Sequence, residues 1–308
     1  LIRKNKYLMD KSLLKPKYWG IWLAIIIAKI LVNTLSYKSL MRLAIFIGKL
    51  AKPLTKRRNK IAKINLEIAF PEKSVQEIET LVDESYKSAC MAGVESLIAW
   101  FMPDRRFNKI HFDDSEYKSF INTHNNPDKT LLSLGFHFHT LEMAGRYCGD
   151  HFKPLSLMYQ KHKHPLMEHI ITSSRLNYVN KCFDRKNMLS VIKSLKRKAT
   201  LWYAPDQDFR EHSIFVPFFG KLCSTLTVTP WLAQKTNATV IPTYYVRNKD
   251  LSGYKLISGE PLEFTGDAYH NAKITNEFLE NAIRKYPEQY LWQHRRYKTR
   301  PDGEEKIY

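Results

Sequence analysis

The chain has 308 residues, of which 44% are hydrophobic, so it can bury the core of one large domain with an appendage. Its formal net charge of +19 indicates an anionic partner. Charge alone does not choose among a nucleic acid, phospholipid head groups, a phosphorylated glycolipid and an acidic carrier protein. The four cysteines are widely spaced, and none belongs to a CxxC pair. We expect them to be reduced, which argues against a disulfide framework and agrees with a cytosol-facing domain.

Residues 18–35 form an apolar segment with a single charge, Lys29. As a helix it is about 27 Å long, close to the ~30 Å hydrocarbon core of a bilayer, and three aromatic residues cluster near its first end. We therefore predict a membrane anchor in residues 1–36. A helix that is buried, or that lies at the interface without spanning, is the alternative. Basic residues flank both sides, so the positive-inside rule gives no orientation.

Three further helices are predicted before the chain changes character. They cover residues 39–50, 56–70 and 74–102, and each stretch ends near a proline. In the last helix an interruption is expected at Gly93. The first has a broad apolar face, which suits a helix on a bilayer surface or on the core. Together they predict a helical platform at the membrane.

Beyond Pro103, strand-like and helix-like stretches alternate. Strands are predicted at 109–112, 130–135, 155–159, 199–204, 239–246 and 254–258, and helices at 115–122, 140–148, 165–174, 187–196, 226–234 and 271–286. This alternation predicts an α/β fold, a mixed sheet with helices on its faces, preceded by the membrane helix and the platform. Without a repeat or a Gly-rich linker, residues 37–308 are interpreted as one domain.

A histidine and a carboxylate follow the apolar run Leu131–Gly135. His137 stands at the end of the predicted strand, and Glu142 lies in the first turn of the helix that begins after Thr140. A neutral imidazole can remove a proton from a hydroxyl, and a carboxylate on its other nitrogen fixes the tautomer. Since no nucleophile of the chain accompanies the pair, the pattern predicts direct acyl transfer onto a substrate hydroxyl, with His137 as base and Glu142 as its orienting partner.

This motif has two other interpretations. His137, His139 and Glu142 can begin a zinc site, but the sequence contains no recognised zinc pattern such as HExxH or CxxC, so no metal is predicted. All three side chains can instead be hydrogen-bonded polar residues that take no part in a reaction. His139 itself is interpreted as a pocket-lining or structural residue.

The H-x4-E spacing resembles that of membrane acyltransferases, and from about Leu131 to Tyr308 the chain resembles the late acyltransferases of lipid A biosynthesis. Five blocks carry the resemblance in family order: Gly135–Arg146 (GFHFHTLEMAGR), Asp184–Lys186 (DRK), Trp202–Asp208 (WYAPDQD), Phe215–Phe219 (FVPFF) and Pro287–Pro301 (PEQYLWQHRRYKTRP). The family adds secondary acyl chains to the Kdo-lipid A precursor at the bacterial inner membrane. The resemblance therefore implies acyl carrier protein as thioester donor, the lipid A precursor as acceptor and inner-membrane lipids as surroundings. It implies no cofactor besides this donor. It also implies that the catalytic domain faces the cytoplasm.

Further site residues come from the same resemblance. Arg185 is expected either to stabilise an oxyanion or to hold a substrate phosphate, although an Asp-Arg-Lys triplet alone is usually a solvated helix cap. Asp206 is expected to shape the acceptor site by pairing with Arg185. Asp208 is a weaker candidate, and an Asx-type turn is the alternative for both carboxylates.

The basic C-terminal run is the last expected site element. Arg295 and Arg296 are expected to face acceptor phosphates or acidic residues of the carrier, whereas a run of this kind is otherwise a solvated tail. Gln160 departs from the family, which commonly has an arginine after the residue matching Tyr159. Two alternative functions stay open: a related phospholipid or glycolipid acyltransferase, and a basic membrane-associated nucleic-acid-binding protein. The chain contains no recognised nucleic-acid motif, so no nucleic-acid partner is expected.

Overall fold

A seven-stranded sheet occupies the centre of the fold. The structure is a computed structural model that describes residues 9–308, so residues 1–8 of the predicted anchor lie outside the described part. The sheet consists of β1 (His111–Glu116), β2 (Thr130–Leu134), β3 (Leu155–Tyr159), β4 (Lys181–Asp184), β5 (Thr200–Tyr203), β8 (Ala238–Arg247) and β9 (Gly253–Ser258). Their order is β1-β9-β8-β2-β5-β3-β4, and every neighbouring pair is parallel except β8 with β9. The mixed α/β fold is confirmed.

Helices and a hairpin cover both faces of this sheet. They are α6 (Lys118–Asn125), α7 (Leu141–His151), α8 (Pro165–Arg175), α9 (Met188–Leu195), α10 (Val228–Thr236), α11 (Ala268–Lys285) and the antiparallel pair β6 (Ser213–Phe218) and β7 (Lys221–Leu226). Strand alternation divides β2 between two cores: Leu131 packs with α6 and α7, whereas Leu132 and Leu134 pack with α9, α10 and α11. The strands β4, β6 and β7 were not predicted.

Five helices precede the sheet: α1 (Trp19–Thr34), α2 (Tyr37–Ala51), α3 (Lys56–Ala69), α4 (Val75–Phe101) and the short α5 (Asp104–Phe107). Ser74 and Glu77 form a capping box at the start of α4, which explains why the helix begins there. The expected interruption at Gly93 is wrong, since α4 is continuous through it. Within the described residues, 16–34 form the one helical stretch that is long and apolar enough to cross a membrane.

A buried ion pair joins α4 to the sheet. Glu95 of α4 accepts two hydrogen bonds of 2.6 Å from the Arg247 guanidinium on β8, and both side chains are at most 3% exposed. Tyr254 of β9 donates a third bond to Glu95 at 2.5 Å, and its hydroxyl also contacts that of Tyr37 at the start of α2. Because every charge in this cluster is paired, the helical platform has a fixed position over the sheet.

Candidate active site

His137 and Asp206 meet because they follow neighbouring strands. Asp206 lies three residues beyond the end of β5, which pairs in parallel with β2, and His137 lies three residues beyond the end of β2. Parallel strands deliver the residues after their carboxyl ends to one edge of the sheet. There the His137 ring Nδ1 lies 2.6 Å from Asp206 Oδ1, and the His137 backbone N–H donates to Oδ2 at 2.9 Å.

This contact determines the proton arrangement of the imidazole. With Nδ1–H donated to Asp206, Nε2 is the basic nitrogen, and the His137 side chain is 25% exposed towards the cavity described below. Burial lowers the pKa of His137, but the Asp206 carboxylate outweighs that effect and leaves the pKa above its usual value. Burial alone raises the pKa of Asp206, while the charge and hydrogen bonds of His137 lower it below the usual range. Asp206 is thus an anion well suited to stabilise an imidazolium.

The C-terminal segment holds Asp206 from its other side. The Tyr290 hydroxyl donates to Asp206 Oδ2 at 3.1 Å. Tyr290 is held in turn by the backbone: Phe138 and Tyr290 form an isolated β-bridge, and the Leu291 N–H donates to the His137 carbonyl at 3.0 Å. The segment 287–301 therefore belongs to the site as a support for the His–Asp pair.

Glu142 does not orient His137, which corrects the sequence-based expectation. Its carboxylate instead forms an ion pair with Arg175, at the end of α8, and accepts hydrogen bonds from Trp100 Nε1 at 2.9 Å and the Tyr178 hydroxyl at 3.4 Å. The physical reason is the direction of α7, which turns the first-turn carboxylate towards α8 and α4 rather than back to the end of β2. Glu142 and Arg175 nevertheless line the same cavity as His137.

A cavity of about 1010 Å³ opens beside His137. Its inner part runs between the sheet and α7 and is lined by buried side chains, among them Tyr117, Phe120, Cys148, Leu155 and Tyr245. The Tyr117 and Tyr245 hydroxyls lie 3.0 Å apart, and the Tyr245 hydroxyl also lies 3.3 Å from that of Thr243, so both are hydrogen-bonded within the protein. An apolar branch next to a general base suits a substrate with a long hydrocarbon chain.

Gly135 permits the close packing at the junction of β2 and the cavity. A Cβ atom at this position would lie 2.3 Å from the Trp202 ring, which itself lines the cavity. Any larger residue would displace this tryptophan from the cavity wall, so steric contact explains why position 135 is a glycine.

Exposed basic side chains stand at the rim of the same cavity. Arg185, Lys186 and Arg210 line it and are exposed. The Arg185 guanidinium lies 5.4 Å from the Phe209 ring. It forms no ion pair with Asp206 in the described chain, so the expected pairing of these two residues is wrong. Asp206 is 5% exposed and already satisfied by His137 and Tyr290.

Asp208 fastens the C-terminal segment to the loop after β5. Its carboxylate accepts from the Thr299 N–H at 2.9 Å and the Thr299 hydroxyl at 2.8 Å. Its own N–H donates to His294 Nε2 at 3.0 Å. Burial lowers the pKa of His294 to about 4, which keeps this ring neutral and able to accept. Asp208 therefore has a clear structural role, although it also lines the cavity.

Arg296 does not face a substrate, contrary to the expectation from sequence. It is 3% exposed, and its guanidinium donates to the Ser224 carbonyl at 2.5 Å and the Thr225 hydroxyl at 3.1 Å on β7. The burial of Tyr290, Trp292 and Tyr297 pulls the segment onto the domain and takes Arg296 inwards with it. Arg295 lies 5.9 Å from the Tyr308 ring and is not among the cavity-lining residues.

His137 and His139 contact different partners. His139 Nδ1 lies 2.8 Å from the Ser88 hydroxyl of α4, on the side of the platform, and burial together with the Arg247 charge lowers the pKa of His139 to about 3. In residues 9–308, no group of three or more His, Cys, Asp and Glu side chains is arranged to hold a metal ion. The structure thus gives His139 a structural environment.

Two residues of the site were missed from sequence. Arg175 ends an unremarkable amphipathic helix, and Tyr290 lies in the fifth block of the resemblance without a predicted contact. No spacing rule connects Arg175 with Glu142, 33 residues away, or Tyr290 with Asp206, 84 residues away. The PEQYLWQ block was the one available signal for Tyr290, because it marked the segment without saying what it contacts.

A buried His–Asp pair at the edge of an α/β sheet, opening on a cavity with an apolar branch, defines an enzyme class that uses a general base on a substrate with a long apolar chain. The sequence profile of the bacterial lipid A biosynthesis acyltransferases matches residues 8–299. The chain is 36% identical to the lipid A biosynthesis palmitoleoyltransferase of Escherichia coli K12 over 302 residues, 97% of each chain. It is 37% identical to the lauroyltransferase of the same organism over 306 residues, 95% of each. It is also 36% identical to a lipid A biosynthesis acyltransferase of Haemophilus influenzae over 296 residues, 94% of this chain and 93% of the relative. The chain belongs to the bacterial lipid A biosynthesis acyltransferase family, and the resemblance stated from sequence is confirmed.

Proposed function

We propose that this acyltransferase moves a fatty acyl chain from acyl carrier protein to the hydroxyl of a 3-hydroxyacyl chain on the Kdo-lipid A precursor, at the cytoplasmic face of the inner membrane. The observation that carries the proposal is the His137–Asp206 pair at the polar end of a cavity with a buried apolar branch. The names of the relatives support the class of acceptor. Family membership favours a lipid acceptor over the nucleic-acid-binding alternative.

The acceptor hydroxyl is activated by His137. Nε2 removes its proton, and the oxygen attacks the thioester carbonyl to form a tetrahedral intermediate. Asp206, held by Tyr290, keeps the productive tautomer and stabilises the imidazolium. When the C–S bond breaks, the imidazolium returns its proton to the departing thiolate, so the base is regenerated and no covalent acyl-enzyme forms.

Two arginines divide the remaining charge. Arg175 is 20% exposed and lines the cavity with His137, and Glu142 holds two of its nitrogens, so we assign it to the oxyanion. Arg185 is exposed at the rim beside Lys186 and Arg210, so we assign it to acceptor phosphates. Arg185→Ala is then expected to raise KM for the acceptor, whereas Arg175→Lys is expected to lower kcat.

The decisive experiment supplies the purified full chain with an acyl carrier protein thioester and the Kdo-lipid A precursor, and follows the acceptor by mass spectrometry. We expect the acceptor to gain the mass of one acyl chain. His137→Ala should abolish this gain, and His139→Ala, which removes an imidazole of the same loop that faces Ser88, should retain part of it. A dead His139→Ala with an active His137→Ala would refute the assignment of the base. Transfer to a lysophospholipid but not to the lipid A precursor would support the alternative acyltransferase.

A further inference from the structure

Helix α1 has two opposite apolar faces. Ile25, Ala28 and Val32 are buried against the domain. The outer face exposes Trp19, Leu23, Ile26, Ile27 and Ile30, each 49% to 63% exposed. These positions recur every three or four residues and so share one side of the helix. An apolar side of this extent needs a cover other than water.

The inner face of α1 is attached along its whole length. Near its start, Tyr18 and Ile25 pack with Leu166 and Ile170 of α8. Near its end, Val32 packs in the cluster of α4, and the Arg106 guanidinium donates to the Val32 and Leu35 carbonyls. A spanning α1 would take this guanidinium and its packed neighbours into hydrocarbon, or would leave the inner face without partners.

Helix α2 and the turn after it repeat the pattern. Phe46, Ile47, Leu50 and Leu54 are exposed, whereas Leu40, Met41, Ala44 and Gly48 are buried. Arg42 and Lys49 are exposed on a third side of α2. An apolar outer face bordered by cations is the composition of a helix that lies in a bilayer interface.

The charge around these faces identifies what covers them. After Asp10, every charged residue up to Lys63 is lysine or arginine, and the next acidic residue is Glu67. Cations flank both ends of α1 and of α2, and most are exposed. A surface that is both apolar and uniformly basic fits a leaflet of anionic lipid. Attraction to the anionic head groups contributes about 1 kcal/mol of binding free energy for each lysine or arginine near the surface.

We propose that the protein is monotopic: α1 and α2 insert their exposed faces into one anionic leaflet, and α1 does not cross the bilayer. Helix α8, which packs under α1, also lines the cavity with Glu168, Ile171 and Arg175. One wall of the cavity is therefore formed by the helix that packs against the inserted surface, which brings a lipid acceptor held in the leaflet close to the site. This last step rests on the proposed function, whereas the topology does not.

Single cysteines at both ends of α1 test the topology. Lys15 and Lys38 are exposed and flank the helix, so Lys15→Cys and Lys38→Cys report on which side of the membrane each end lies. Lys285 is exposed on α11, and Lys285→Cys reports the side of the catalytic domain. Each full-chain variant is treated with a membrane-impermeant maleimide in sealed inverted and right-side-out inner-membrane vesicles. The unmodified chain is the control, since its own cysteines are buried or half-buried. We expect all three positions to react in the same type of vesicle. Reaction of positions 15 and 38 from opposite sides, or of neither, overturns the proposal.

A second test introduces negative charge on the outer face of α1 and measures vesicle binding. Ile26→Glu with Ile30→Glu should weaken sedimentation with anionic phospholipid vesicles at least roughly tenfold, because two inserted isoleucines are lost. The matched control Trp231→Glu, an exposed aromatic residue on α10, should leave sedimentation unchanged. Equal binding of both variants overturns the proposal. Neither readout involves acyl transfer, so a failure of the proposed reaction leaves the topology result intact.

Discussion

At the scale of single residues, the site shows why a sequence spacing does not choose a hydrogen-bond partner. Glu142 stands five positions after His137, yet the ring contacts Asp206, 69 residues further along the chain. The sequence did indicate that His137 and Asp206 both follow apolar strands. It did not indicate that those two strands, β2 and β5, are neighbours in the sheet, and that adjacency decides the pairing.

Asp206→Asn tests this pairing. We expect kcat to fall on the order of 10³-fold to 10⁴-fold, because a neutral amide neither stabilises the imidazolium nor enforces the tautomer. His137 must be neutral to act, so activity rises with pH through its pKa. The carboxylate raises that pKa against the effect of burial, and its removal should move the acid limb of the residual activity to lower pH. The measurement is the pH profile of kcat/KM.

Two variants serve as controls for that profile. Asp208→Asn changes a carboxylate of the same loop that binds Thr299, and it should leave the acid limb in place. Glu142→Gln should lower kcat through Arg175 without moving the limb. A limb that moves for Glu142→Gln and stays for Asp206→Asn would restore Glu142 as the orienting residue.

At the scale of elements, the sequence located buried strands and amphipathic helices better than edges. The strands β2, β3, β5, β8 and β9 were predicted because their apolar runs are buried in the sheet. The edge strand β4 has four residues, and β6 contains Pro217, so neither shows a continuous buried run. The predicted first strand, 109–112, is shifted from β1, whose residues are mostly polar.

Helix α7 gives a prediction about acyl chain length. Gly145 lines the cavity, and a Cβ atom there would meet no neighbour within 4 Å, so a side chain at this position would extend into open space. Gly145→Leu should shift preference to shorter acyl chains, by roughly fourfold in kcat/KM for each CH2 that loses about 0.8 kcal/mol of burial. The measurement is kcat/KM for a series of acyl carrier protein thioesters of increasing chain length.

Gly93→Leu is the matched control for this variant. Gly93 lies in α4, has open space around its Cβ position and does not line the cavity. Both changes replace a helical glycine with a better helix former, so neither should destabilise the fold. If Gly93→Leu shifts chain-length preference as much as Gly145→Leu, the apolar branch beside α7 is not the acyl site.

At the scale of the whole molecule, the net charge of +19 has an uneven distribution that the sequence shows and the structure explains. Residues 11–66 contain no acidic residue, and they form the helices with exposed apolar faces. In the sheet domain, by contrast, Arg146, Arg247 and Arg296 are buried and form hydrogen bonds within the protein. Cation content alone therefore did not distinguish membrane-facing charge from structural charge.

The last prediction separates these two kinds of charge by salt. Arg42→Gln with Lys49→Gln removes two exposed cations of α2, and each should weaken binding to anionic vesicles about fivefold at low ionic strength. At ~1 M salt, where the Debye length is ~3 Å, the variant and the unmodified chain should bind alike, since only apolar insertion remains. Lys285→Gln, with one exposed cation of α11 removed, should bind like the unmodified chain at every salt concentration. Vesicle sedimentation across a salt series measures this, and an equal loss for Lys285→Gln would mean that binding follows total charge rather than the basic surface of residues 11–66.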